Sequence, residues 1–154
     1  MKKTMWDADA RRSLVARFGN LTPTHQPQWG RFSAHAMVVH LIDSAGMALG
    51  TVPVKRVRSP MAKIIGLPGA RHFVVYVMPF PRNAPTVREL LHTAPGDWNT
   101  DVATFLRMAE ALAERASDPR AEWPSHPFFG PLTARGWGVL GYRHTDHHLR
   151  QFGV

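Results

Sequence analysis

Between about Asp7 and Phe18 the apolar residues Ala10, Leu14 and Phe18 recur every four positions, with basic residues on the opposite face, which predicts a first helix. Gly19-Asn20 supplies its stop, and Pro23 and Pro27 prevent its immediate continuation. A second helix is expected over Ala34–Leu49 with Ser33 as N-cap. Nearly every position in it is apolar or small, so it is buried on several sides, and His35, His40 and Asp43 are the residues there that need partners. A third helix follows a cap at Asn99 or Thr100: Val102, Phe105, Leu106, Ala109, Leu112, Ala113 and Ala116 form its apolar stripe, and Ser117-Asp118-Pro119 ends it. A fourth starts near Thr133 and runs to about Gln151.

The segment from Gly50 to Pro95 breaks this pattern. It carries Pro53, Pro60, Pro68, Pro79, Pro81 and Pro85 with Gly66 and Gly69, so it cannot be one long helix. Within it Phe73–Met78 is six apolar residues in a row, which fits a strand and a buried helical piece equally. No internal repeat, low-complexity tract or boundary divides the 154 residues, and a single domain over 1–154 is expected.

Composition narrows the chemistry. With 44% hydrophobic residues and five tryptophans the chain can bury one core. It contains no cysteine, which excludes disulfides, thiolate metal sites and a cysteine nucleophile and leaves nitrogen and oxygen as the available metal ligands. Met1-Lys2-Lys3-Thr4 has the charges of a signal peptide without the apolar run, and no stretch approaches the roughly 20 apolar residues of a membrane span, so a cytoplasmic protein with no membrane partner is expected.

The formal charge is +8, and between Thr51 and Leu90 seven basic residues face Glu89 alone. A solvated basic surface accounts for this excess, and an anionic partner is the alternative. Nucleic acid is disfavoured, because neither a reading helix nor an interleaved aromatic platform accompanies the charge.

On the fourth helix Trp137, Leu140, His144, His148 and Gln151 or Phe152 follow steps of three or four, so two histidines continue the core-facing stripe. Four residues apart, they lie about 40° from one another around the axis and can reach one ion. His147 is about 100° from His148 and points mostly off that face, yet at three residues from His144 it remains a substitute ligand. The third ligand must come from another element. His40 is the best placed, with Asp43 one turn on as hydrogen-bond partner to an imidazole or as a fourth ligand. His25, His35, His72, His92 and His126 read as structural or exposed.

These residues also carry a family likeness. Trp29 followed by His40-Leu41, and His144-Thr145-Asp146-His147-His148 with Gln151, resemble the DinB-like (YfiT-type) superfamily. The stretch Ser125-His126-Pro127-Phe128-Phe129-Gly130-Pro131-Leu132, continued by Trp137 and by His148-Leu149-Arg150-Gln151-Phe152-Gly153, looks like one uncharacterised branch of it. The resemblance implies an all-α, up-down-down-up four-helix bundle with a long connection, Gly50 to Asp97, between helices two and three. It also implies a divalent metal ion on His40, His144 and His148.

Zinc and nickel are the expected ions, with iron next, since neutral imidazole suits all three. Relatives of that class include thiol-dependent transferases, so the expected function is a metal-dependent thiol-using transferase or a hydrolase acting on a small molecule. A non-catalytic, metal-stabilised binding module is the alternative. Surplus apolar helix surface makes a second copy of the chain a candidate partner.

Overall fold

The computed structural model describes residues 3–84 and 86–154. Lys2, counted above among the leading charges, and Pro85 of the connection lie outside them. The described residues are mostly helical, with one small two-stranded sheet.

Helix α1 spans Ala8–Gly19 behind the N-cap Asp7 and buries Ala10, Leu14 and Phe18, the residues of its predicted stripe. Helix α2 spans Ala34–Leu49. Ser33 Oγ accepts from the Ala36 N–H at 3.1 Å at its start, and Gly50 closes it at φ 81°, a left-handed conformation that glycine adopts without steric cost. Met37, Val38 and Leu41 are fully enclosed, in keeping with the all-round apolarity of this helix.

The connection is helical in pieces. Helix α3 spans Pro60–Ile65, capped by Ser59, and helix α4 spans Pro68–Tyr76; each has proline in its first turn, where the missing N–H costs nothing. The apolar run Phe73–Met78 therefore belongs largely to a helix. Val75 is buried while Phe73 and Val77 stay exposed. Arg143 stabilises the end of α4 by donating to the carbonyls of Val74, Val75 and Met78, a cation placed on orphan carbonyls where the helix dipole is negative. A short 3-10 turn, Arg88–Leu91, follows.

Helix α5 spans Trp98–Ser117. Its cap is Asp97, which accepts from the Thr100 N–H at 2.9 Å, so the helix starts slightly before the Asn99 or Thr100 expected from sequence. The short antiparallel strands β1 (Ser125–His126) and β2 (Gly130–Pro131) then turn the chain into helix α6, Ala134–Gln151, capped by Thr133.

The four longest helices pack on one another, α2 chiefly on α5 and α1 on α6, with α2 also touching α6 and α1 touching α5. Phe18 and Phe105 meet at 5.3 Å between ring centroids inside this core, and the Arg17–Asp146 ion pair (2.7 Å) joins α1 to α6 at its edge. Helix α4 lies against α6, which brings Phe80 and Arg82 of the following loop beside the histidine end of that helix. No helix among the described residues is long and apolar enough to cross a membrane.

Candidate metal centre

His40 comes from the middle of α2, and His144 and His148 come from successive turns of α6. His144 Nε2 lies 3.2 Å from His40 Nε2 and 3.1 Å from His148 Nε2, so three ring nitrogens converge on one point. His40 and His148 are buried and His144 is partly buried. His147 is not in this cluster: its ring turns toward Trp29 and Phe80, as its helical phase predicts.

Backbone and amide groups fix the proton positions. His40 Nδ1 sits 2.8 Å from the Leu90 carbonyl, which can only accept, so Nδ1 carries the hydrogen and Nε2 is bare. His148 Nδ1 sits 2.8 Å from Gln151 Oε1. Gln151 Nε2 donates to the Trp29 carbonyl at 2.6 Å, which orients the amide, and His148 Nε2 is therefore bare as well.

Asp43 acts at one remove. Its carboxylate accepts from the His92 and Thr93 N–H groups, each at 3.1 Å, and from the Thr93 hydroxyl. It thereby holds the chain just after the 3-10 turn that presents Leu90. The imidazole contact or fourth-ligand role expected of Asp43 is replaced by this anchoring of the loop that orients His40.

Burial holds all three rings neutral. Desolvation lowers the His40 pKa against the opposing effects of the Leu90 carbonyl and Asp43. It lowers His144 well below the usual range, with the neighbouring histidines adding to the effect, and brings His148 down to about 3. A proton on His144 Nε2 can serve as hydrogen-bond donor to the two bare nitrogens, but it leaves their lone pairs crowded around one hydrogen. A cation satisfies all three at once.

The remaining histidines match their structural or exposed reading. His35 Nε2 binds Asp101 at 2.7 Å across α2 and α5, His126 is buried with Nδ1 accepting from the Phe128 and Phe129 N–H groups, and His72 and His92 are exposed.

A cavity of about 500 Å³ opens beside the cluster, with Trp29, Phe80, Arg82, Arg143, His147 and Arg150 in its wall. Sequence reasoning did not single out Phe80 or Arg143. Phe80 stands between Pro79 and Pro81, and an aromatic residue in such a stiffened loop was the available signal.

Residues 16–153 match a family model, which takes in all three clustered histidines, Asp43 and Gln151. The chain belongs to the family DUF1569, proteins of unknown function. No curated protein and no solved structure matches it. Membership of DUF1569 leaves the chemistry to be argued from the site itself.

Proposed function

We propose that the protein binds one divalent metal ion through Nε2 of His40, His144 and His148, and that it is a DinB-like four-helix-bundle enzyme, a metal-dependent thiol-using transferase or a hydrolase. The observation that carries the metal reading is the convergence of three neutral imidazoles, two of them pinned by their Nδ1 partners with bare Nε2 atoms facing inward. Zinc ligated at about 2.0–2.1 Å in tetrahedral geometry spaces its nitrogen ligands by about 3.3 Å, close to the 3.1 and 3.2 Å found. The donor set fits zinc or nickel, with iron next. One histidine from a second long helix and a pair four apart on the last is also the ligand arrangement that the DinB-like resemblance implies.

An enzyme is favoured over a purely structural ion by two features. Asp43 is engaged by the Thr93 loop and His147 faces the cavity, so three protein ligands remain, the number typical of sites that leave a position for substrate. The cavity lies next to the cluster, with the Phe80 ring between its space and His144, at a volume suited to a small molecule. A divalent ion held there supplies Lewis-acid chemistry, lowering the pKa of a water or a thiol into the neutral range. Leu90, with Asp43 acting through the Thr93 loop, keeps the His40 ring aimed and Gln151 keeps the His148 ring aimed, while Phe80 covers His144 against bulk water.

Metal analysis of protein purified without a histidine tag tests the reading. About one divalent ion per chain is expected, and its loss in His144→Ala; protein that takes up no near-stoichiometric ion from zinc, nickel or iron overturns it. If His144→Ala loses the ion and keeps its fold, the site is kept for chemistry. A collapse of the fold on the same substitution supports the structural alternative.

A further inference from the structure

The cavity beside the histidines carries an excess of positive charge that the metal site does not use. Arg82 stacks its guanidinium over the Trp29 ring at 4.4 Å from the centroid, and among the described residues it has no carboxylate within ion-pair distance. Arg143 gives its hydrogens to backbone carbonyls, which leaves its charge uncancelled. Burial lowers its pKa, and the nearby positive charge of Arg150 lowers it further, as expected where cations are crowded. Arg150 does meet a carboxylate, Asp146 at 2.5 Å, but Asp146 is shared with Arg17. Three guanidinium groups thus surround a space that one shared side-chain carboxylate partly balances.

The rest of the wall is flat and apolar. Trp29 presents an indole, and Phe80 presents a ring that stacks on His144 at 5.8 Å and 22°. Guanidinium groups bind carboxylates through paired N–H donors, and aromatic faces hold planar bodies. We propose that this cavity binds a small organic carboxylate with a planar apolar body, its anionic end on Arg82 and Arg150 and its body against Trp29 and Phe80. A body lying on Phe80 is one ring removed from the converging nitrogens. The proposal deepens the metal reading by naming the substrate class of the same site, yet the carboxylate contacts themselves involve arginines and need no ion.

Benzoate is a suitable probe, titrated into the purified protein and followed by calorimetry and by the fluorescence of the nearby Trp29. Benzamide, equally flat but neutral, and inorganic phosphate, anionic but without a planar body, are the comparators. Saturable benzoate binding is expected, weakened about tenfold or more in Arg82→Gln and for benzamide, as loss of a charge-assisted pair requires. Phosphate alone should compete poorly. Arg82 is exposed, so circular dichroism and a thermal melt of Arg82→Gln should match those of the parent.

Absence of saturable benzoate binding overturns the proposal, as does equal binding by Arg82→Gln or by benzamide. His40→Ala separates the two readings, since His40 does not line the cavity. Benzoate binding retained in His40→Ala supports the arginine site whatever the metal analysis shows. Binding lost in His40→Ala but kept in Arg82→Gln places the carboxylate on the ion, which overturns the arginine site and leaves the metal reading standing.

Discussion

Gln151 joins two parts of the site through one amide, accepting from His148 Nδ1 while donating to the Trp29 carbonyl. Gln151→Met keeps the volume and removes both bonds, so His148 loses the acceptor that fixes its tautomer. Loss of such a supporting bond weakens metal binding by about 10- to 100-fold. Competition with a chromophoric chelator measures this, and unchanged affinity would show that the amide does not orient the ligand. His126 gives a second prediction at this scale. Its folded pKa is lowered by burial to about 3, whereas the unfolded ring titrates near 6.5. The unfolded chain therefore binds the extra proton, and stability falls as pH drops below about 6.5 and continues to fall towards 3. The clustered histidines add slope of the same sign, so the contribution of His126 is read by difference. Denaturant melts from pH 6.5 to 4.5 should show a fall shallower in His126→Asn than in the parent by up to about 2–3 kcal/mol. Equal slopes would mean that His126 is protonated in the fold. The sequence disclosed the histidine pair because helical phase is local. The work of Asp43 was hidden because its partners, His92 and Thr93, stand about fifty residues away.

At the scale of elements, the long helices were legible where periodicity and caps agreed. Ser33 caps as expected, the last helix begins at Thr133 as expected, the α1 stripe buries its predicted residues, and the α5 stripe buries Phe105, Ala109 and Leu112 with Val102, Leu106, Ala113 and Ala116 half-buried beside them. Helices α3 and α4 were not, because six and nine residues are too few to display a period and the run Phe73–Met78 has none. What settles α4 is tertiary: Arg143 on its terminal carbonyls and α6 against its side. Close packing at α6 yields a further prediction. A Cβ at Gly138 would stand 2.5–2.8 Å from the Trp6 indole, whose Nε1 donates to the Ala134 carbonyl and whose ring packs on Trp123 at 5.4 Å. Alanine favours a helix over glycine by about 0.5–1 kcal/mol, while overpacking a filled site costs about 1–3 kcal/mol. The clash wins, so Gly138→Ala should lower the thermal midpoint and perturb tryptophan fluorescence. A raised midpoint would mean that Trp6 moves aside freely.

For the whole molecule, the histidines sit where the two principal helix pairs meet. Helix α2 packs chiefly on α5 and α6 on α1, and His40 faces His144 and His148 across the contact between α2 and α6. An ion at that point cross-links the pairs in the folded chain and finds no preformed site in the unfolded one, so its binding energy adds to stability. At a free concentration about 100 times the dissociation constant the gain is about 2.7 kcal/mol. For a chain of this size that corresponds to a rise in thermal midpoint of about 5–10 °C. Chelated protein supplied with zinc should show this rise by calorimetry, growing with the logarithm of zinc concentration above saturation. His40→Ala should abolish it, because two imidazoles on one helix cannot bridge the pairs. An equal rise in His40→Ala would place the stabilising ion elsewhere, and no rise in the parent would leave the convergence of three imidazole nitrogens without the cation that best accounts for it.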